Sequence, residues 1–276
     1  MTVSVIMVSY RTGPVLFEAV ETALAAPDIA ELVVVNHDNP PEDEARLVAL
    51  AAAEARMTLI NTRANLGFAK GCNIGAATAA GDHLFFLNPD AVPGRGAAAA
   101  LARALEGLPE PAIAGACIIG EDGREQAGAR RGALTIRTAV NGYLGGPGLR
   151  RDHEPMPERA APVETVSGAA MMMRRAGFDQ LGGFDEGYFL HVEDIDICKR
   201  ARDAGGAVVF EPRAVVRHAG SSSTVSKLKV ERWKANGLLR YFARHGGAPG
   251  PVKAAMLAPV IYAAVYGRAL VRALRG

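Results

Sequence analysis

Cysteine is scarce in this chain: Cys72, Cys117 and Cys198 stand far apart and outside any CxxC pairing. That excludes a cysteine zinc site, fits a reducing compartment and leaves the three as small core residues. Excess charge is lacking too. With 31 basic and 29 acidic residues the formal net charge is +2, so no overall field favours nucleic acid and any polyanion must be met locally. No apolar run reaches the roughly 20 residues of a spanning helix. The amino-terminal MTVSVIMVSYRTG has no preceding basic region and no small-residue cleavage site, so it reads as a strand and not a signal. There is no internal repeat, and low complexity is confined to alanine-rich helix such as GRGAAAALARALEG. What the chain does have is 276 residues, 49% of them hydrophobic, enough for a buried core and incompatible with disorder.

Short apolar runs recur: VSVIMVSY at 3–10, ELVVVN at 31–36, MTLIN at 57–61, HLFFLN at 83–88, AIAGACII at 112–119 and AVVFEP at 207–212. Without strict alternation they predict strands buried on both faces. Between them, PVLFEAVETALAA and PEDEARLVALAAAEARM have helical composition, the second with an acidic first turn suited to the helix dipole. This βαβ rhythm predicts an α/β fold with a mainly parallel twisted sheet and helices on both faces, its ligands outside the carboxyl ends of the strands.

From Gly120 to Val163 the rhythm fails in a Gly-, Arg- and Pro-rich stretch, the pattern of a lid, a binding loop or disorder. Arg130, Arg131, Arg150 and Arg151 there read first as solvated loop charge, with contact to phosphates of a donor or a lipid-linked acceptor as the alternative. From Pro251 to Gly276 acidic residues vanish, and Lys253, Arg268, Arg272 and Arg275 bracket AAMLAPVIYAAVY, which Pro259 interrupts. The segment reads as an interfacial helix attracted to anionic lipid, or equally as a tail helix packed on its own domain.

Two strings carry chemistry. NTRANLGFAKGCNIGAATAAGDHLFFLNPDA, from Asn61 to Ala91, turns through Asn65, Gly67 and Gly71, runs through a small-residue helix and returns along a strand to Asn88, Pro89 and Asp90. Asp90, with Asn88 two residues earlier, is placed to hold a hard cation such as Mg²⁺ through oxygen; NPDA is otherwise an ordinary turn. GGFDEGYFLHVEDIDICKRARDAGG, from Gly182 to Gly206, predicts a helix opening near His191 and ending at Gly205. Asp185, Glu186, Glu193 and Asp194 crowd its start, followed by Asp196. A helix amino terminus keeps carboxylates ionised, as a general base requires. The alternative is an acidic first turn paired with Lys199, Arg200 and Arg202.

Taken in order, VSVIMVSYRTG, VVVN, NLGFAKGCNIGA, FLNPDA, SGAAMMMRR, GGFDEGYFLHVEDIDICKRARDAGG and RHAGSSS strongly resemble family 2 glycosyltransferases, particularly their bacterial rhamnosyltransferase-like branch, over about residues 3–245. The resemblance implies a GT-A fold, a nucleotide-diphosphate sugar donor and inversion at the anomeric carbon. It makes Asp194 the first choice for general base, with Glu193 its rival. It implies contact of Asp90 with Mg²⁺ or Mn²⁺ and the diphosphate, with His218 of RHAGSSS reaching the metal or the diphosphate. It places Ser9, Tyr10, Arg11, Asn36, His37, Asn65, Gly67, Lys70, Asn73 and Asn88 among the residues that hold the donor. Where the family usually has an Asp before an Asn after the second strand, this chain has VVVNHDN. Asn36 accepts a hydrogen bond there without charge, and Asp38 is its substitute if the loop is displaced. Ser167, Gly168 and Ala169 precede the methionine run whose family counterpart lies beside the donor sugar; as plain core filler at least two of the three methionines are expected.

The expected organisation is a catalytic domain over 1–245, with a nucleotide-binding half at 1–119 and an acceptor half at 120–245, and a basic apolar tail at 246–276. The expected partners are a dTDP- or UDP-sugar, with dTDP-rhamnose leading, and a glycan or polyprenyl-linked acceptor in envelope or exopolysaccharide assembly. The protein is expected to be cytoplasmic, peripheral at the inner face of the plasma membrane. A sugar nucleotidyltransferase would want a Gly-rich basic phosphate loop after the first strand, where this chain has SYRTG. A catalytically lapsed, membrane-associated binding subunit is the rival from another class.

Overall fold

Val3, Val5, Ile6, Met7 and Val8 are all buried, as a strand covered on both faces requires. The computed structural model describes residues 1–143, 146–220, 225–247 and 250–275. In chain order its elements are β1 (Val3–Ser9), α1 (Val15–Ala25), β2 (Glu31–Asn36), α2 (Pro41–Ala53), β3 (Met57–Asn61), α3 (Phe68–Thr78), β4 (His83–Leu87), β5 (Ala91–Pro93), α4 (Ala97–Ala104) and β6 (Ile113–Ile119). There follow β7 (Arg130–Arg131), α5 (Ile136–Tyr143), β8 (Ala161–Pro162), β9 (Thr165–Val166), β10 (Ala170–Arg174), α6 (Arg175–Gln180), α7 (Glu193–Asp203), β11 (Val208–His218), α8 (Lys227–His245) and α9 (Gly250–Arg275).

The main sheet runs β3-β2-β1-β4-β10-β6-β11-β5, with β8 added alongside β11. Its first four strands are parallel. The methionine run then enters as β10, antiparallel to both β4 and β6. Met171, Met172 and Met173 are fully buried there, so all three are core. Helix α3 lies close on β1 and β2 because it presents glycine to them: a Cβ on Gly71 would come within 2.6 Å of Val8, and one on Gly75 within 2.5 Å of Ile6. The expected strand at 207–212 continues to His218, because a register shift between Glu211 and Val215 accommodates Pro212 while β11 stays paired with β6. That extension carries His218 to the edge where β4 ends.

A second apolar cluster stands apart from the sheet core. It joins Leu134, Tyr188, Val192 and Ile195 to Leu238, Tyr241 and Phe242 of α8 and to Ala254, Ile261 and Val265 of α9. The tail helix therefore packs on its own domain along one face. Pro259 does not interrupt it: α9 is continuous through that residue, which corrects the expected break. The side chains of Lys253, Arg268, Arg272 and Arg275 lie outside those described.

Ion pairs tie this cluster to α7. Asp196 is fully buried and is approached by Arg200 Nε at 2.7 Å, His245 Nε2 at 2.7 Å and the Tyr188 hydroxyl at 3.2 Å. Burial alone would raise its pKa, but the His245 and Arg200 contacts outweigh it and hold the carboxyl below its usual range. The stabilisation is fully present above the unfolded carboxylate value of about 4 and is lost as pH falls through the lower folded value. Asp196→Ala strands Arg200 in a largely buried site, and urea unfolding at neutral pH is expected to show a loss of about 3–5 kcal/mol, shrinking toward acid pH.

Candidate active site

The carboxyl edge of the parallel strands holds three linked groups of polar side chains. The first follows β1 and β2. Asn39 Nδ2 donates to Ser9 Oγ and to Asn36 Oδ1, both at 2.8 Å, and Asn36 Nδ2 donates to Asn61 Oδ1 at 2.7 Å. Asn36 is thus engaged on both sides of its amide by neutral partners, which accounts for an uncharged side chain at a position with 1% exposure. His37 Nδ1 lies 2.7 Å from Thr62 Oγ1 and its Nε2 lies 3.3 Å from the Gly67 carbonyl. Burial lowers its pKa, partly opposed by the Gly67 contact, so the ring is neutral at neutral pH. Arg11 and Asp38, both with positive φ, pair at 3.3 Å at the solvent edge of a cleft shared with Asn39 and Pro40. Tyr10 lies under the Arg11 guanidinium, 5.4 Å from centroid to carbon.

The second group sits where β4 and β11 end. Gln126 Nε2 donates to the His218 carbonyl at 2.7 Å, which orients Oε1 of the same amide toward His218 Nδ1 at 2.9 Å. In the neutral ring Nδ1 then carries the hydrogen, and the Nε2 lone pair faces Asn88 Nδ2 at 3.2 Å and Asp90 Oδ1 at 3.1 Å. Two acceptors, Nε2 and the Asp90 carboxylate, converge on one point. That donor set suits a divalent cation such as Mg²⁺ or Mn²⁺, and the Gln126 contact is the support that a metal-binding histidine receives. Among the described residues no cluster of three or more His, Cys, Asp or Glu forms, so ligand oxygens would complete the coordination. The serines of RHAGSSS, Ser221 to Ser223, lie outside the described residues.

The third group is the acidic pair. His191 and Val192 both adopt positive φ, 68° and 77°, directly before α7, a rare conformation for a β-branched residue. α8 presses on this turn through Gly237, where a Cβ would come within 2.9 Å of the His191 carbonyl. The turn aims Asp194 at the loop before β10. Asp194 Oδ2 accepts from Arg131 at 2.5 Å and from the Gly168 N–H at 3.1 Å, and Oδ1 accepts from the Ile195 N–H at 2.8 Å. Burial opposes ionisation, but the Arg131 charge and these donors prevail and hold Asp194 below its usual value. Glu193 goes the other way. Its Oε2 is buried without a hydrogen-bond partner, and burial together with the Asp194 charge pushes its carboxyl well above the carboxylate range. The surroundings thus favour the ionised form of one neighbour and the protonated form of the other.

A short bridge joins the second and third groups. The Asn88 N–H donates to the Ala169 carbonyl at 2.8 Å, and Gly168, one residue earlier, holds Asp194. The remaining expected residues face elsewhere. Asn65 Oδ1 accepts from the Gly67 N–H at 3.0 Å, shaping the turn before α3. Asn73 clamps the backbone of Phe184 from both sides at 2.9 Å, and Lys70 pairs with Glu186 at 3.6 Å. Asp185 binds Arg240 and Arg244 of α8, so neither it nor Glu186 joins the acidic pair. Lys199 and Arg200 pair with Asp203 and Asp196, leaving Glu193 and Asp194 to other partners.

Arg130 and Arg131 correct the reading of solvated loop charge. Arg130 is buried and forked onto Glu125 at 2.8 and 2.9 Å, while Arg131 holds Asp194. Arg150 and Arg151 form more exposed pairs with Asp152 and Glu164. Sequence reasoning missed Gln126 altogether and weighed Arg131 only as solvated charge or a phosphate contact, not as a partner of Asp194. Both come from the irregular segment, where no periodicity marks an inward side chain.

A sequence model of the family described as "Glycosyltransferase like family 2" matches residues 2–236. The N-acetylglucosaminyl-diphospho-decaprenol L-rhamnosyltransferase of Mycobacterium tuberculosis (strain H37Rv) is 31% identical over 238 residues, covering 80% of this chain and 76% of that protein. The rhamnosyltransferase WbbL of Escherichia coli (strain K12) is 34% identical over 83 residues, 30% of this chain and 31% of its own. Among solved structures, GalNAc-T7 with UDP, GalNAc and Mn²⁺ superposes with a TM-score of 0.65 at 17% identity over 87% of this chain, which spans 47% of the length of that one. The mannosyltransferase PcManGT of Pyrobaculum calidifontis, in complex with GDP-Man and Mn²⁺, has a TM-score of 0.59 at 18% identity, covering 99% of this chain and 75% of that one. The fold is therefore GT-A, and the chain belongs to glycosyltransferase family 2.

Proposed function

We propose that this chain is an inverting, metal-dependent glycosyltransferase that moves a sugar from a nucleotide-diphosphate donor to a saccharide on a lipid-linked diphosphate carrier. The observation that carries the reading is the ionised Asp194, one residue's bridge away from the Asn88, Asp90 and His218 edge. Rhamnose is the leading sugar, on the strength of the two relatives' names, and dTDP is the nucleotide we assign to it. The catalytic unit is residues 1–245, with Ser9, Tyr10, Arg11, Asn36 and His37 at the nucleotide and the 246–276 tail at the inner face of the plasma membrane.

Three of the four lone-pair positions of the Asp194 carboxylate are occupied, by Arg131, Gly168 and Ile195. The fourth takes the proton of the acceptor hydroxyl. As that O–H bond breaks, the acceptor oxygen bonds to the anomeric carbon from the face opposite the diphosphate, and the carbon–oxygen bond to the diphosphate breaks with its electron pair. Asp90 and His218 would hold the divalent cation, which supplies neutralisation of the diphosphate charge. Glu193, protonated, adds no second negative charge beside the base. Arg131 keeps Asp194 ionised and oriented.

Asp194→Asn is expected to lower kcat by about 10³-fold while nucleotide binding persists; retained turnover would move the base to Glu193. Removal of the Arg131 charge in Arg131→Met lets the Asp194 pKa rise, so the acid limb of the kcat/KM profile is expected to shift to higher pH. Thermal-shift screening against UDP, dTDP, GDP and CDP with and without Mn²⁺ or Mg²⁺ is expected to show a metal-dependent rise for dTDP or UDP, equivalent to about 2.7 kcal/mol at a hundredfold excess over Kd. Asp90→Ala and His218→Ala are expected to abolish the metal-dependent part. No rise with any nucleotide would refute the donor assignment.

A further inference from the structure

Helix α9 is apolar on two sides. One side packs on α8 through Ala254, Ile261 and Val265. The other carries Val252, Met256 and Val260, four residues apart and 54%, 74% and 58% exposed. A helix with apolar residues on its solvent side needs a second partner, and no helix among the described residues is long and apolar enough to cross a membrane.

Helix α5, more than a hundred residues earlier, repeats the pattern at the same place. Ile136 and Val140, one turn apart, are 45% and 44% exposed. Together with Phe242, Leu257, Val260 and Ile261 they line a groove that is almost wholly apolar. The segments that carry it have charge of one sign in sequence. Residues 132–151 and 246–276 contain no Asp or Glu, although the chain has 29 acidic residues, and they contain Arg137, Lys253, Arg268, Arg272 and Arg275. Arg150 and Arg151 lie at the end of the first stretch and are paired with acids outside it.

We infer that the outer faces of α5 and α9 form one membrane-docking surface, with Ile136, Val140, Met256 and Val260 entering the acyl boundary of an anionic bilayer and the flanking cations meeting its headgroups. The chemistry favours lipid over protein: an apolar stripe on segments with basic residues and no acidic ones matches the boundary between acyl chains and anionic headgroups. The surface is rigidly tied to the reacting end of the molecule. Leu134 and Ile195, which flank Arg131 and Asp194 in sequence, belong to the same apolar cluster as Phe242 and Ile261. Ile136 is five steps along the chain from Arg131, at most about 18 Å of extended chain. Docking through α5 therefore holds Asp194 within reach of a saccharide displayed just above the headgroups. This inference deepens the proposed reading of a lipid-linked acceptor, on which its functional meaning rests.

The test is co-sedimentation of the full chain with vesicles of phosphatidylglycerol and phosphatidylcholine, and with phosphatidylcholine alone, at low and high salt. Binding to the anionic vesicles that weakens with salt is expected. Val140→Glu and Met256→Glu, one on each helix, are each expected to weaken it about fivefold or more, and the pair to abolish it. Unchanged melting temperatures and unchanged dTDP or UDP shifts would establish that the variants are folded. Failure of the wild-type chain to bind anionic vesicles, or wild-type binding by the double variant, would overturn the inference. So would a concentration-dependent dimer in sedimentation velocity that the same substitutions dissociate, since the face would then belong to a second copy. Transfer to a short-chain, water-soluble acceptor without vesicles separates the two readings: its absence refutes the glycosyltransferase assignment while vesicle binding stands.

Discussion

Two adjacent carboxylates buried at the head of one helix repel each other, and the surroundings of α7 are arranged around that cost. Asp194 remains charged because Arg131 and the Gly168 N–H meet it, and Glu193 is protonated because nothing comparable meets Oε2. A third carboxylate one turn on, Asp196, is charged through Arg200 and His245. Each of these partners arrives on a different part of the chain. The irregular segment, α7 itself and the last turn of α8 are thereby drawn to one helix, and the strained His191–Val192 turn is held between them.

The irregular segment gains a role from this. It contributes Gln126 to the His218 edge and Arg131 to the acidic pair, so the two ends of the reacting centre are trimmed by side chains only five residues apart in sequence. Its own anchoring is internal: Arg130 is clamped by Glu125 and by the carbonyls of Glu154 and Pro155. A segment so fixed presents α5 in a defined orientation. The cluster shared by α5, α8 and α9 then makes one body of Asp194, its guanidinium partner and the exposed apolar stripe.

The Asn88, Asp90 and His218 edge and an acidic helix head lie on opposite sides of the Ser167–Ala169 bridge. The bridge is short because β10 is antiparallel to β4: Ala170 pairs with Leu87, so the residues just before β10 meet the residues just after β4. A parallel strand in that place would have carried its leading loop to the far end of the sheet.

The local rules of the chain determined much of this by themselves. The runs at 31–36 and 57–61 are strands over those residues; the first is buried between two covered faces, as its continuous β-branched stretch requires, while the second is the partly exposed edge strand. Asp90 and the Glu193–Asp194 pair were legible as candidates because their neighbours mark a strand end and a helix head. Pairing across distance was not legible. The methionine strand, the run of β11 past Pro212 and the continuity of α9 through Pro259 depend on neighbours far off in sequence, which override local propensity. The same holds for the site. Composition shows two acids side by side, but which of them is charged depends on a guanidinium more than sixty residues away and on the Gly168 N–H, and only the folded chain puts those donors in contact with one carboxylate and leaves an oxygen of the other without a partner.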